Sequence, residues 1–344
     1  MPPHENFSHC ASDTFDQTAL DTAGIDVLPQ RQKSLYTADR SLYSREELLY
    51  YSKCFTTTST VGQQSQSPIL NVLYGVPSTL IRYGILLPLR VTTLTASTIA
   101  FFTSLPVALV LESNSMVSTL VKYYCKGILF SLGVSTEYSG TKPNLMEPHV
   151  FVANHTSYLD YIVLSAHEYP LAVVMAKHQG ALGFLQNNGL NYLNSMTFNR
   201  SDPEERKTLS QRLRNHVMSP RTWPNPMIIF PEGTCVNNQY TIRFQKGAFE
   251  LGVKVCPVGI KYDTAYGTPY WDTRKGFMYY AFYRMTRWTT PIKVVYNSPQ
   301  SPLPNEDPVD FGQRVKSVVT SSIGLQSEDF NGMAKRDMLK ILDI

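Results

Sequence analysis

The sequence predicts an α/β protein in which a mixed, mostly parallel sheet is flanked by helices and is preceded by a membrane-embedded helical segment. Three observations carry this prediction. From Pro148 onward, short apolar and β-branched runs alternate with helical or loop stretches, which is typical of strands joined by helices. Upstream, residues 91–111 contain no charged residue. The 344-residue chain is 43% hydrophobic, which is enough to bury a sizeable core.

The strands of the sheet are predicted from six apolar runs. They are "HVFVAN" (149–154), "LAVVMAK" (171–177), "SMTFN" (195–199), "PMIIF" (226–230), "KVCPVGIKY" (254–262) and "PIKVVY" (291–296). Residues 311–325 are predicted to form an amphipathic helix that closes the domain. In open α/β sheets, functional residues gather just beyond the carboxyl ends of the strands, so the loops after these runs are where a site is expected.

Changes in composition divide the chain into four regions: 1–65, 66–140, 141–325 and 326–344. The first region is acidic at its start, because residues 1–30 hold five acidic residues and no Lys or Arg. It lacks the basic start and apolar centre of a signal peptide. We expect residues 1–65 to be largely disordered, with a short helix near Ser44–Tyr51. Residues 141–325 form the predicted α/β domain and residues 326–344 a C-terminal tail.

The strongest membrane signal lies in residues 80–111, where the only charges are Arg82 and Arg90. The uncharged stretch 91–111 is long enough to cross a hydrocarbon core of ~30 Å as a helix. Pro106 and several Thr and Ser residues fit a kinked span or a re-entrant hairpin equally well. A buried helix of a soluble domain is the alternative. The two arginines place the leading side in the cytosol.

A second helix is predicted over residues 117–134. Its apolar residues share one helical stripe, with Lys122 and Lys126 off that stripe. A basic amphipathic helix directly after a membrane segment fits the headgroup region. Packing on the protein's own core explains the stripe equally well.

Charge and cysteine content restrict the class of protein only loosely. The formal net charge is +4, which suits an anionic substrate or an acidic membrane, with nucleic acid as a third option. Charge alone favours ordinary surface charge, and no other feature of the sequence leads us to expect nucleic acid as a partner. The five cysteines form no C-x-x-C pair, which argues against a disulfide framework and a zinc site and fits a reducing compartment. The histidines show no metal-binding spacing, so no metal is expected.

The first candidate site follows the run that begins at residue 149 and reads Asn-His-Thr-Ser-Tyr-Leu-Asp (154–160). His155 and Asp160 are five residues apart, so on one continuous helix they would lie ~140° apart. They meet only if the helix starts between them, and Thr156 and Ser157 are favoured N-cap residues. A carboxylate would then orient the imidazole as a general base. Alternatively, Ser157 and Asp160 form only a capping box.

Three further candidate sites follow later strands. Phe198 and Arg200 follow one run, and an arginine there suits a phosphate, although a surface ion pair is the commoner use. Glu232, Gly233 and Thr234 follow another in "FPEGT", which is either a ligand loop or a plain turn. Lys246 in "QKGAF" is either a phosphate ligand or a solvated charge.

The order of these blocks resembles the glycerolipid acyltransferase family, with its H-x4-D motif. "RYGILLPLRV", "FPEGTCVNN", "KGAFELG" and "PVGIKYD" are similar to the microsomal glycerol-3-phosphate acyltransferases of eukaryotes, over roughly residues 75–325. The resemblance implies the glycerolipid acyltransferase fold. It also implies transfer of an acyl group from acyl-CoA, a substrate and not a cofactor, to the sn-1 hydroxyl of glycerol 3-phosphate.

The resemblance also implies roles for residues. His155 would be the general base and Asp160 its orienting carboxylate. Phe198, Arg200, Glu232, Gly233, Thr234 and Lys246 would line the acceptor site, and Pro257 and Val258 the acyl-CoA side. The implied location is the endoplasmic reticulum membrane, with the catalytic domain in the cytosol; the oligomeric state stays open.

This chain departs from the family pattern in front of three motif residues. Tyr158 and Leu159 stand where relatives usually have proline and isoleucine, Asn199 where they often have glutamate, and Gln245 where they have the first residue of a basic pair. These departures concern acceptor preference, so a lysophosphatidic acid or lysophospholipid acyltransferase is the alternative. A non-catalytic membrane-shaping scaffold is a remote one, and intact His155 and Asp160 count against it.

Overall fold

The structure is a computed structural model. It describes residues 43–57, 68–144, 146–177, 180, 183, 186–187, 190–198, 203–219, 225–272 and 274–343. The chain divides into two units, residues 1–43 and 44–344, and all of the described helices and strands belong to the second unit. The predicted disorder of residues 1–42 and 58–65 lies outside the described residues.

The centre of the molecule is a seven-stranded sheet. Its strands are β1 (Val134–Ser139), β2 (His149–Ala153), β3 (Ala172–Ala176), β4 (Met196–Phe198), β5 (Met227–Ile229), β7 (Lys254–Tyr262) and β8 (Thr290–Tyr296). The order is β1-β8-β7-β2-β5-β3-β4. Every neighbouring pair is parallel except β7 and β8. The six predicted strands and the mixed, mostly parallel sheet are therefore confirmed.

Two short strands, β6 (Tyr240–Thr241) and β9 (Gln326–Ser327), form a separate parallel pair. The described helices are α1 (Arg45–Ser52), α2 (Pro68–Ile81), α3 (Leu87–Val110), α4 (Asn114–Ser131), α5 (Leu159–Ala166), α6 (Pro203–Val217), α7 (Phe277–Met285), α8 (Pro308–Ile323) and α9 (Lys335–Leu342). Strand β1 was not predicted, because its first residue was included in the helix predicted over 117–134. That helix ends at Ser131, and Gly133 then adopts a left-handed φ of 65°, which a glycine tolerates without strain.

Helix α8 covers one face of the sheet and is the predicted closing helix. Its inward residues recur every four positions, as Phe311, Val315, Val319 and Ile323, so they form one stripe. The Asp307 side chain accepts the first free amides of α8, and Gly324 ends it in the left-handed conformation. This stripe packs on a core that includes Val150 and Val152 of β2.

A helical hairpin precedes the sheet. Helix α2, a π-helical turn over Arg82–Leu86 and α3 follow one another without a break. Among the described residues, one helix, Gly75–Val110, is long and apolar enough to cross a membrane. Residues 80–110 are thus one continuous helix, so the re-entrant hairpin that we considered within this segment is wrong.

Helix α4 returns antiparallel along α3. Tyr124 stacks on Phe101 with ring centroids 4.6 Å apart, and its hydroxyl lies 3.2 Å from Thr98 Oγ1. The apolar stripe of α4, from Val117 to Leu129, is buried inside the protein. Packing on the protein's own core therefore accounts for the stripe that we predicted over 117–134.

The first described segment, residues 44–57, forms what we call the N-terminal strap. The helix predicted near Ser44–Tyr51 is confirmed as α1, which begins with a capping box between Ser44 and Glu47. Phe55 is buried, and its ring centroid lies 5.6 Å from that of Phe330. Asn237 Nδ2 donates to two strap carbonyls at 2.6 and 2.8 Å. The prediction that residues 1–65 are largely disordered is therefore wrong for residues 52–57, which follow the predicted helix, because long-range contacts order them.

The strap contacts the end of the chain as well. Helix α9 packs against α1, and the Tyr50 hydroxyl donates to Glu328 at 3.2 Å. The predicted tail, residues 326–344, therefore includes a helix that packs on the domain.

We predict that Phe55→Ala lowers the free energy of unfolding by about 3–5 kcal/mol, because it empties a buried aromatic site. The matched control is Leu49→Ala on α1, since Leu49 is 65% exposed. Chemical denaturation of both variants in detergent measures the difference, and equal stabilities would show that the strap does not contribute to the fold.

Candidate active site

The H-x4-D segment leaves β2 at the carboxyl edge of the sheet. Strand β2 ends at Ala153, and α5 begins at Leu159, so His155 precedes the helix while Asp160 lies in its first turn. His155 Nδ1 is 2.8 Å from Asp160 Oδ2. The expected pairing across the helix start is confirmed.

Asp160 serves the helix start and the histidine together. The same Oδ2 accepts the backbone amides of Thr156 at 2.6 Å and Ser157 at 2.8 Å. Oδ1 accepts the Tyr262 hydroxyl at 2.5 Å. Asp160 is completely buried, so these donors replace the water that a carboxylate would otherwise need.

The helix start differs in detail from the prediction. Tyr158 occupies the N-cap position and makes no side-chain cap bond. Ser157 Oγ accepts the amide of Leu159 at 3.1 Å, and the Asp160 carboxylate accepts the amide of Ser157. The predicted cap at Thr156 or Ser157 is therefore displaced by one or two residues, because Asp160 takes over the capping of the free amides.

The surroundings strengthen His155 as a base. Burial lowers the pKa of the imidazole, but the neighbouring Cys235 sulfur and the hydrogen bond to Asp160 raise it, and the net shift is upward. The ring stacks on Phe230 with centroids 4.4 Å apart. Burial and the Asp160 carboxylate raise the pKa of Tyr262 well above its usual value, so its hydroxyl stays a donor to Asp160.

Glu232 holds the main chain of His155. Its Oε2 accepts the His155 amide at 2.6 Å, and its Oε1 accepts the Ile242 amide at 3.1 Å. Glu232 is fully buried; burial raises its pKa to about 8, while the two amides pull it downward. Both carboxylate oxygens thus face backbone amides. Gly233 next to it has a φ of 69°, a conformation that favours glycine.

Two asparagines join the site to strand β7. The Asn154 side chain donates to the Ile260 carbonyl at 3.0 Å and accepts its amide at 2.8 Å. The Asn238 side chain donates to Thr156 Oγ1 at 2.9 Å and accepts the Tyr262 amide at 2.7 Å. Sequence reasoning missed Asn238 and Tyr262, although both lie inside the family motifs "FPEGTCVNN" and "PVGIKYD".

The remaining predicted residues of the acceptor site are described to different extents. Phe198 is the last residue of β4, and Arg200 lies outside the described residues. Thr234 is half-buried. Lys246 is exposed and pairs with Glu250 at 2.8 Å.

Pro257 and Val258 lie within β7. They stand opposite Val152 and Ala153 of β2 in the register of the sheet. Val258 is fully buried. This pairing holds β2, the strand that precedes His155, in place in the sheet.

His155 opens onto an apolar cavity of about 730 Å³. Residues of α3, α4, α5, β3 and α7 line it, together with Phe230 and Gly233; the helical lining includes Leu94, Phe101, Tyr124, Ile128, Ile162, Phe277 and Phe282. Neither Pro257 nor Val258 is among the described residues that line it. An apolar cavity with a base in its wall suits an acyl chain attached to a reacting carbonyl.

The described residues include no group of three or more His, Cys, Asp or Glu side chains that could hold a metal ion. The four described cysteines, Cys54, Cys125, Cys235 and Cys256, are free and buried.

Known proteins are similar to this sequence over most of its length. Residues 136–261 match the family model described as Acyltransferase. Glycerol-3-phosphate acyltransferase 3 of Danio rerio is 31% identical over 341 residues, which is 97% of this chain and 72% of that relative. Glycerol-3-phosphate acyltransferase 4 of Mus musculus is 34% identical over 285 residues, 79% of this chain and 60% of that relative.

One solved structure is also similar. The 1-acyl-sn-glycerophosphate acyltransferase PlsC from Thermotoga maritima is 20% identical, covers 67% of this chain and 96% of its own, and has a TM-score of 0.42.

The fold and the buried His–Asp pair define an H-x4-D acyltransferase site, and the chain belongs to the glycerolipid acyltransferase family. Within that family it is similar to the proteins named glycerol-3-phosphate acyltransferases 3 and 4. The resemblance inferred from the motifs is confirmed.

We predict that Asp160→Asn lowers kcat/KM by about 10²–10⁴-fold, the usual contribution of general acid–base assistance. In the wild type, the acid limb of the pH profile should lie above the ordinary histidine value, because the pKa of His155 is raised and the base works only when neutral. In the variant that limb should move to lower pH, since the carboxylate no longer favours the imidazolium.

The control is Asp263→Asn, which removes an exposed carboxylate just beyond β7. An Asp160→Asn protein that loses stability but keeps its specific activity would show that this carboxylate serves only the helix start.

Proposed function

We propose that this protein transfers a fatty acyl group from acyl-CoA to the sn-1 hydroxyl of glycerol 3-phosphate, giving lysophosphatidic acid and free CoA. The observation that carries the proposal is the His155–Asp160 pair, with His155 in the wall of an apolar cavity. The named activity of the relatives in Danio rerio and Mus musculus supports the choice of acceptor.

His155 acts as the general base. Its Nδ1 is bound to Asp160, so Nε2 is the nitrogen left to take the proton of the acceptor hydroxyl. The hydroxyl oxygen attacks the thioester carbonyl, and a tetrahedral intermediate forms. Its collapse breaks the carbon–sulfur bond, and the imidazolium returns the proton to the CoA thiolate. A thioester is already activated, so the reaction needs no covalent enzyme intermediate.

Glu232 is proposed as a positioning residue and not as an acceptor ligand. Both of its oxygens are engaged by backbone amides, so neither is left for a glycerol hydroxyl. It fixes the main chain of His155, while Asp160 fixes the ring. Gly233, which lines the cavity, and Thr234 remain candidates for the acceptor site, together with Phe198.

The acceptor phosphate is assigned to Lys246 and Arg200. This assignment rests on the family motifs, since the partner of Lys246 among the described residues is Glu250. An exposed lysine can exchange a surface ion pair of at most about 1 kcal/mol for a phosphate.

The cavity is proposed to hold the acyl chain. It is bounded by α3 and α4 of the helical hairpin, so the chain would lie between the catalytic sheet and the candidate membrane helix. This arrangement supports a membrane enzyme. The endoplasmic reticulum as its location and the cytosolic side for its catalytic domain are proposed from the family resemblance and from the arginines that precede the uncharged stretch.

We predict that purified protein with labelled acyl-CoA converts glycerol 3-phosphate to lysophosphatidic acid, and that His155→Ala abolishes this reaction while expression and membrane association are retained. A panel of acceptors, resolved by product identity, is the measurement. Acylation of lysophosphatidic acid or lysophospholipids alone would select the alternative acceptor class. An active His155→Ala protein would refute the mechanism, and an inactive wild type would favour a scaffold.

We predict that Lys246→Ala raises the KM for glycerol 3-phosphate roughly tenfold or more and leaves that for acyl-CoA nearly unchanged, because a hydrogen bond to a charged group contributes about 1.5–3 kcal/mol. Arg200→Ala should behave in the same way. Glu250→Ala is the control, since it removes the ion-pair partner of Lys246 but no phosphate ligand. Equal changes in both KM values would contradict the phosphate assignment.

A further inference from the structure

Helix α7 carries an exposed apolar face. Met278, Tyr279 and Phe282 are 65%, 57% and 52% exposed, while Tyr280 and Arg284 on the opposite side are buried. Large apolar side chains that cluster on one helix face usually mark a surface that contacts something other than water.

This helix is fastened to the candidate membrane helix. Arg90 of α3 donates to the Met285 carbonyl at 2.7 Å and to the Trp288 carbonyl at 2.8 Å. Trp288 Nε1 in turn donates to Ser78 Oγ of α2 at 3.2 Å. The carbonyls at and just after the end of α7 are thus bound by a buried cation, which also suits the negative end of the helix dipole. The exposed face of α7 is therefore held beside the helix Gly75–Val110.

The charges around α7 fit an anionic lipid surface. Residues 275–288 contain no Asp or Glu. Lys275 precedes the helix, and Arg287 and Trp288 follow it, with Lys275 and Trp288 exposed. Basic residues and a tryptophan at the ends of an apolar face are typical of helices that lie in the membrane interface.

The inner side of α7 lines the cavity that His155 opens onto. Phe277, Ala281 and Met285 contribute to its wall. Met278 and Phe282 line the cavity and are also exposed, so they form part of its rim. Val91 of α3, 45% exposed, lines the same cavity. The cavity thus has an apolar rim that both α3 and α7 contribute to.

We propose that α7 is a second membrane contact, whose outer face lies in the acyl-chain region of the leaflet that holds the N-terminal end of α3, so that the cavity opens sideways into lipid. The acyl chain then enters, and the acylated product leaves, without passing through water. This inference rests on the proposed function for the identity of the chain in the cavity. The position of α7 itself is measurable without turnover.

The test places a nitroxide at one site at a time in the full chain, reconstituted into vesicles of phosphatidylcholine with some phosphatidylserine. The sites are Tyr279→Cys and Phe282→Cys on α7, Ile99→Cys on α3 and Leu303→Cys as the matched control. Ile99 and Leu303 are 59% and 56% exposed, and Leu303 lies in the loop after β8. A Cys10→Ser background limits labelling elsewhere, because the other four cysteines are buried.

Collision of each nitroxide with oxygen, which concentrates in lipid, is compared with collision with a water-soluble nickel chelate. The expected oxygen-to-nickel ratio is several-fold higher at positions 99, 279 and 282 than at 303. The inference is overturned if the oxygen-to-nickel ratio is high at position 99 while the ratios at 279 and 282 equal the ratio at 303. Protection of position 282 from both reagents, with spin–spin broadening, assigns the face to a second copy of the chain and also overturns it.

Acyl transfer to glycerol 3-phosphate is assayed on the unlabelled wild type in the same vesicles. If the wild type is fully active while α7 lies in water, this inference alone is refuted. An inactive protein whose α7 lies in lipid would refute the proposed function alone.

Discussion

The site depends on one buried carboxylate. Asp160 is completely removed from water and accepts hydrogen bonds from His155, Thr156, Ser157 and Tyr262. A buried carboxylate with unmet hydrogen bonds costs several kcal/mol, so these donors together stabilise the fold while they orient the histidine. The helix start and the catalytic pair are thus one structure. Glu232 repeats this arrangement for the main chain, because its buried carboxylate binds the His155 amide. The ring and the backbone of one histidine are therefore each fixed by a separate carboxylate.

The order of the strands explains why these groups meet. Strands β5, β2 and β7 are neighbours and run parallel, so their carboxyl ends lie at one edge of the sheet. The loop after β2 supplies His155, the loop after β5 supplies Glu232 and Asn238, and β7 ends with Tyr262. Hydrogen bonds from Asn154 and Asn238 to β7 then tie the three ends together.

Local patterns were sufficient to predict six strands, helix α8 and the division of His155 and Asp160 across a helix start. They were insufficient wherever a role depends on a distant partner. The sequence places Glu232 in a loop after a strand, but its partners are the amides of His155 and Ile242, 77 and 10 residues away. In the sequence, Tyr262 is only the last residue of a predicted strand. Its role depends on the fold, in which β2 and β7 are neighbours and Asp160 lies beside it. Residues 52–57 of the strap were predicted as disordered because their polar composition lacks a core of its own. The hydrophobic residues of α7 show no clear helical periodicity in the sequence, so tertiary contacts and not the local pattern make this segment a helix.

The N-terminal strap has a consequence for the order of assembly. Its partners, Asn237, Glu328 and Phe330, follow it by roughly two to three hundred residues. Contacts between segments so far apart in sequence form late, because the chain between them must first be arranged. During synthesis the strap leaves the ribosome before any of these partners exists, and the apolar helix Gly75–Val110 follows it. The loop that carries Glu232 and Asn237 is consequently completed only when almost the whole chain has been made, after the helix Gly75–Val110 has emerged. The strap, although it is synthesised first, is thus among the last parts of the domain to be fixed in place.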